Sequence, residues 1–346
     1  MHFDIFNDDA FSLVSLTTLI NEVDHVPGRA GELAFAGVGE GVNTLTVSIE
    51  QVSEGLSLIP TTRRGAPAPR EVMDKGTLRA VGIPQVKLEE TIPASAIQDV
   101  RVLGSTDSLR GVQSTINTQM RKMSLRHDMT IEHLRLGALQ GLVVDADGTE
   151  LIDLFTFFDV AQETPVDMDT AFVSATDGSD EFRVKCQQIK RTIVRNLKAP
   201  APSSLRIHAF CGDEFFDALV SSTAVKDVYR NWQASESRLA ANYAHSVFEF
   251  GNIFWENYQG TDDNETVSID PQEAMIFPVG VPGLYAEYFA PADFLETVNT
   301  VGLPRYAKIA PDNRFNRFVE LHTQQNPLPI CTRPRVLMSA TISTGI

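Results

Sequence analysis

The stretch from Leu109 to Leu142, LRGVQSTINTQMRKMSLRHDMTIEHLRLGALQGL, decides how the rest of the chain is read. Leu109, Val112, Ile116, Met120, Met123, Ile131, Leu134, Ala138 and Leu142, with His127 in the same series, recur at steps of three and four, which makes one stripe along a single α-helix. Ser105, Thr106 or Asp107 can cap its start, and Asp147-Gly148 supplies a turn beyond its end. At ~1.5 Å per residue the rod is on the order of 50 Å long, which is long for a helix inside one globule. Its expected core face is Leu109, Val112, Ile116, Met120, Met123, Ile131 and Leu134.

Upstream, Leu45, Val47 and Ile49, then Leu56 and Leu58, alternate as a strand does, and Val81, Ile83, Val86, Leu88 and Ile92 alternate again. Between them TTRRGAPAPREVMDKG has no apolar face and is long for a turn in a compact domain, so the hairpin is expected to project. It carries Arg63, Arg64, Arg70, Lys75, Arg79 and Lys87 against Glu71 and Asp74. The preceding residues, 1–43, hold short apolar pieces and then PGRAGELAFAGVGEG, whose glycines do not support regular structure for long; they read as an arm. Nine carboxylates against Arg29 alone make residues 1–54 strongly negative.

Downstream, LIDLFTFF reads as a strand, and Phe182, Cys186, Ile189, Ile193 and Leu197 stripe a second helix. Leu205 to Phe210 reads as a short strand, and Asp213 as the cap of a helix carrying Phe215, Phe216, Leu219 and Val220. This middle section is a mixed α/β unit. Leu239 to Pro304 has no Lys or Arg and ten carboxylates. The tail from Arg314 to Ile342 alternates and is broken by NPLPICTRP, which suits two strands joined by a proline-rich connection.

The 346 residues carry 45 acidic and 29 basic side chains, a net charge of -16, which argues against gripping nucleic-acid phosphates. No apolar run reaches the ~18 residues of a membrane span, and the acidic N-terminus is unlike a secretory signal. Three widely spaced cysteines, Cys186, Cys211 and Cys331, read as buried small hydrophobes in a reducing cytoplasm.

Chemistry is sought and not found. His127 and His133 lie about 240° apart around a helix and cannot clamp one metal. VDADGTE places Gly148 at position four of a calcium-type loop and Thr156 at position twelve, so it reads as a turn. The run Asp262-Asp263-Asn264-Glu265 reads as a solvated loop. GVGEG lacks the spacing of a dinucleotide loop, and no phosphate loop, nucleophile elbow or HExxH occurs. No cofactor, metal or catalytic residue is expected. For the basic side chains Arg183, Lys185, Lys190, Arg191, Arg195 and Lys198, pairing with carboxylates of the same or a neighbouring chain is favoured over contact with nucleic acid.

Four segments resemble one family, the lambda-type phage major capsid proteins, or capsid protein E family: PGRAGELAFAGVGEGVNTLTVSIEQVSEGLSLIPTTRRGAP, DMTIEHLRLGALQGLVVDADG, GLYAEYFAPADFLETVNTVGLPRYAK and QNPLPICTRPRVLMSATI. They span about residues 27–342, with the section from about 155 to 245 matching only in LRIHAFCGDEFF and its helix. The resemblance implies an α+β chain with the tailed-phage shell fold of the Hong Kong 97 type. It implies an N-terminal arm at 1–43, an extended loop at 44–95, a peripheral domain with the spine helix at 96–166, an axial domain at 167–299 and a return to the peripheral domain at 300–346.

It further implies a structural protein that forms hexamers and pentamers in an icosahedral head, in the virion, assembled in the host bacterial cytoplasm. Double-stranded DNA would be enclosed without specific binding. Scaffold, portal and decoration proteins are the implied partners besides the chain itself. A prophage-derived or cellular nanocompartment shell of the same fold is the alternative; an unrelated α/β enzyme with an acidic surface is the third reading. Charge separation adds one expectation: Arg63, Arg64, Arg70, Lys75 and Arg79 face carboxylates of a neighbouring chain.

Overall fold

The computed structural model describes residues 28–51, 77–98, 108–173, 181–198, 202–222, 225–226, 247–261, 267–312, 314–315 and 317–343. In chain order the elements are α1 (Arg29–Leu33), β1 (Gly39–Gly41), β2 (Thr46–Gln51), β3 (Thr77–Gly82), β4 (Val86–Pro93), α2 (Ala94–Gln98), α3 (Ser108–Gln140), β5 (Leu142–Val144), β6 (Glu150–Asp153), α4 (Leu154–Phe158), β7 (Val166–Asp167), α5 (Asp169–Val173) and α6 (Glu181–Asn196). There follow β8 (Arg206–Cys211), α7 (Asp213–Ser221), β9 (Phe248–Phe250), β10 (Ile253–Asn257), β11 (Glu273–Val279), β12 (Tyr285–Phe289), β13 (Tyr306–Pro311), β14 (Phe318–Gln325), β15 (Pro327–Cys331) and β16 (Met338–Thr341).

Helix α3 runs for 33 residues, about 50 Å at the usual rise. Ile116, Met120, Met123, His127, Ile131, Leu134 and Ala138 are all buried along one side; the side chains of Leu109 and Val112 lie outside the described residues. The stripe stops short of its last expected member. Gly141 adopts φ +89°, where a Cβ would strike the Phe155 ring, so the helix ends there and Leu142 emerges exposed at the start of β5.

Two separate cores share this helix. Near its N-terminal half, Ile116, Met120 and Met123 pack with Ile92, Ala307, Ile309, Val319 and Leu321 beneath the antiparallel sheet β13-β14-β4. Near its C-terminal end, Leu134, Leu136, Ala138 and Leu139 join the main core of the chain. A rod anchored at both ends holds two packing units at a set distance, which a flexible linker would not.

The main core lies against the sheet β7-β16-β11-β8-β10-β9, where β8 pairs in parallel with β10 and antiparallel with β11. Phe182 of α6 and Phe215 of α7 both pack on Trp255, at centroid distances of 5.8 and 6.0 Å, so the two helices share one face of this sheet. The aromatic packing continues through Phe172, which meets both Phe182 and Phe215 edge-on.

Four local expectations are corrected. LIDLFTFF is half strand and half helix: Asp153 accepts a hydrogen bond from the Phe155 N–H at 2.9 Å and caps α4, releasing Phe155 and Phe158 into the core. The cap of α7 is Gly212, with no side-chain bond, and Asp213 instead accepts from Asn257 Nδ2 at 3.0 Å; Val220 is exposed. The alternation from Val81 to Ile92 is two strands that part company, β3 pairing with β2 and β4 with β14.

The proline-rich connection near the C-terminus is itself strand β15, paired antiparallel with β12. The Thr332 N–H donates to the Leu284 carbonyl and the Ala290 N–H to the Asn326 carbonyl, so even-numbered residues of this segment take the ladder bonds. Pro327 and Pro329 fall on the odd positions of an edge strand, where no N–H is required.

Candidate assembly surfaces

The first described residues, Gly28 to Leu33, are held on α3 by a clasp. The buried carboxylate of Glu132 accepts from the Ala30 N–H at 2.7 Å, the Gly31 N–H at 3.2 Å and the Tyr258 hydroxyl at 3.0 Å. It thereby satisfies free N–H groups at the start of α1. The approach needs small residues: a Cβ on Gly28 would lie 2.1 Å from Glu132 Oε2, and one on Gly31 would lie 2.4 Å from Arg135 Nη1. Burial, followed by the Glu132 charge, drives the Tyr258 phenol far above its ordinary range, so it stays a donor.

Two guanidinium–carboxylate forks flank the clasp. Arg29 donates through Nε and Nη2 to Glu256 at 2.6 and 3.1 Å, and the hydrogen bond to Glu256 raises the arginine's pKa. Arg135 donates through Nε and Nη2 to Glu287 at 2.8 and 2.9 Å, with both side chains nearly shielded from water. Nearer the first core, Arg305 bonds Asp128 and Ser124, and burial pulls its guanidinium down to about 10, so it remains charged at neutral pH. Beside Asp128 in sequence, His127 Nε2 meets Thr323 Oγ1 at 2.9 Å; burial, then Arg305 and His322, lower its pKa to about 4.

Pattern reading missed Asp128, Glu132 and Arg135. Their spacing of four and three residues forms a charged stripe beside the apolar one, a signal that these charges face partners instead of solvent.

The ribbon of β2 and β3 packs its base on the main core through Val47, which is buried, and through Ile49, Val81 and Ile83. Its other face leaves Leu78 69% exposed. Arg79 donates to the Phe157 carbonyl of its own chain, because register with Ile49 puts it on the inward face of the ribbon. Arg63, Arg64, Arg70 and Lys75 lie outside the described residues. Lys87 reaches Asp293 of its own chain at 3.3 Å, an exposed contact of little energetic weight.

A second uncovered surface is apolar: Leu295 is 94% exposed, with Val298, Val301 and Leu303 exposed beside it in sequence and Phe315 exposed at the β13–β14 turn. A monomer seldom leaves such a run in water without a partner for it. A groove of about 270 Å³ beside α3 is lined by Leu125, Met129, Tyr258 and Val267, with Arg29, Asp128 and Glu132, whose charges are already engaged by the forks and the clasp.

Among the described residues no group of three or more His, Cys, Asp or Glu is placed to hold a metal, and no helix is long and apolar enough to cross a membrane. The three cysteines are buried free thiols, with Cys186 and Cys331 pushed up to about 12 by burial.

A long helix joining two cores, a two-stranded ribbon and the short helix α1 clasped on the long one belong to the shell fold of tailed-phage capsids. The mature capsid of bacteriophage PhiM1 contains such a chain, superposing with a TM-score of 0.52 at 13% identity over 90% of this chain and 87% of that one. The chain belongs to the phage major capsid protein E family, whose model matches residues 12–342. Major capsid proteins of Salmonella phage Felix O1 and Pseudomonas phage KPP10 are similar at 24% and 25% identity, over 93% and 95% of this chain and 95% and 96% of theirs. It is therefore a structural capsid-shell protein of the phage virion and not an enzyme.

Proposed function

We propose that this subunit closes an icosahedral head from hexamers and pentamers of itself, enclosing double-stranded DNA without binding it specifically. The observation that carries the proposal is the pair of apolar surfaces left open on the folded chain, Leu78 on the ribbon and Leu295, Val298 and Val301 beyond β12. Among the described residues neither is covered, and each contact is weak alone, but a closed lattice repeats it at every subunit. The net charge of -16 suits a wall that must not adhere to packed polyanion.

The arm at 1–43, extended loop at 44–95, peripheral domain at 96–166 and 300–346 and axial domain at 167–299 are the proposed division of labour. Assembly takes place in the host cytoplasm, with scaffold, portal and decoration proteins as further partners. The loop's Arg63, Arg64, Arg70 and Lys75 orient it on carboxylates of a neighbouring chain, while apolar residues supply most of the affinity.

Purified chain should sediment as closed particles tens of nanometres across; a chain that stays monomeric under all assembly conditions would refute the shell reading. Reversing Arg63, Arg64 and Arg70 together to Glu should give folded capsomers that fail to close at low salt and recover partly as salt rises. Equal closure of that variant at low ionic strength would show the basic tip to be merely solvated. Nuclease-protected DNA in particles from infected cells, as against a protein cargo, distinguishes a phage head from a nanocompartment.

A further inference from the structure

The two helices that share the Trp255 face of the large sheet present opposite charges to the outside. On α6 the apolar side is turned down, with Phe182, Cys186, Ile189 and Ile193 buried. Outward stand Arg183, Arg191 and Arg195, continued by Lys198 just past the helix, and no acidic residue follows Glu181 in the helix. On α7, Phe215, Phe216 and Leu219 are buried while Asp213, Glu214 and Asp217 face out, with no basic residue in the helix. Among the described residues Arg191, Arg195 and Asp217 form no ion pair within the chain. Each charged face also exposes a valine: Val184 is 50% exposed on α6 and Val220 is 42% exposed on α7.

We propose that the basic face of α6 in one subunit receives the acidic face of α7 from a second copy of the chain. The contact rests on the shell reading above and names a surface for it. Because a basic face cannot pair with itself, α6 of one subunit meets α7 of the next; where each interface uses one such pair, every subunit offers one half of each kind to a further copy and the arrangement repeats until a ring closes. Charge complementarity fixes the pairing, and the two valines supply apolar contact once the charges have brought the faces together. A nucleic-acid backbone is the competing occupant of a basic helix face. It has no use for an exposed Val184, and it would have to approach a chain of net charge -16.

The test uses the full-length chain in four forms: wild type, Arg191→Glu with Arg195→Glu, Glu214→Arg with Asp217→Arg, and all four substitutions together. Particle formation is followed by sedimentation and electron microscopy in about 50 mM salt, where surface charge is weakly screened. Each double variant should need about tenfold or more protein to form particles, and the quadruple variant should return to within about threefold of wild type, because its faces are complementary again. Circular dichroism reports folding. For a double variant that does not fold, Arg191→Gln with Arg195→Gln removes attraction without adding repulsion and should raise the requirement by about threefold.

Unchanged assembly of either folded double variant, or a quadruple variant no better than the doubles, overturns the proposal. So does an α6 double variant that assembles normally but retains less DNA, which would assign the face to nucleic acid. Wild-type chain that forms no particles would remove the shell reading and this contact with it, whereas particles from all four chains at the same protein concentration would remove the contact alone.

Discussion

Arg135 and Glu287 meet as a two-pronged ion pair in the interior, the arginine reaching from α3 and the carboxylate from β12, 152 residues apart in the chain. Two parallel N–H bonds of 2.8 and 2.9 Å fix both the distance and the rotation of the helix against the sheet. A purely apolar contact would hold the distance but tolerate sliding.

Removing one partner should therefore be worse than removing both. Arg135→Met or Glu287→Leu alone strands a buried charge and should cost about 3 to 5 kcal/mol, while the double variant should recover much of that loss. Urea unfolding of the dissociated subunit measures the cycle. Additive losses would mean that the two side chains do not depend on each other.

The arm clasp has a clean chemical readout. Arg29 is the first basic residue of the chain, so trypsin acting at the clasp releases one N-terminal fragment. Glu132→Ala removes the acceptor for Ala30, Gly31 and Tyr258 and should accelerate cleavage after Arg29 roughly tenfold if about 1.4 kcal/mol of local stability is lost. Gly28→Ala should act the same way, since its Cβ has no room beside Glu132. An unchanged cleavage rate in both would show that the arm is held elsewhere.

Ile131 is 4% exposed in the C-terminal half of α3. Ile131→Asp should leave the protein insoluble, because an unpaired buried charge costs several kcal/mol against a total stability of about 5 to 15 kcal/mol. Soluble protein that assembles normally would mean that the buried face of the helix is wrongly assigned.

Acid should weaken the subunit through His127. Its folded pKa of about 4 lies below the ordinary histidine value of 6.5, so between those values the unfolded chain binds more protons than the folded one. Stability is complete above about pH 6.5 and declines toward pH 4, by up to roughly 3 kcal/mol from this residue. His208, held near 4 by burial and then by Arg29 and Arg206, adds in the same direction. His127→Gln can keep a hydrogen bond to Thr323 without titrating, so its denaturation midpoint should fall less than that of wild type between pH 7.5 and 5. Equal falls would remove His127 as the cause.

What the sequence by itself determined were features set by local periodicity and composition. The three-and-four spacing from Ile116 to Ala138 dictates a helix whatever surrounds it, and the stripe from Phe182 to Leu197 does the same for α6. The chain holds no apolar run long enough for a membrane helix, and the peculiar segments around Pro27, Asp128, Gly283 and Gln325 pointed to the family. What only the tertiary structure decided were pairings between distant residues. Pro327 and Pro329 look like breakers until β12 supplies a partner whose ladder needs only the even positions. Arg79 reads in the sequence as one more basic residue of the projecting hairpin, and register with Ile49 turns it inward to Phe157. Glu132, Arg135, Glu256 and Glu287 look like ordinary surface charges, and only the packing of α1 and two strands against α3 takes them out of water and gives each a partner. Periodicity says which side of an element is buried; the identity of what buries it belongs to chain segments distant in sequence.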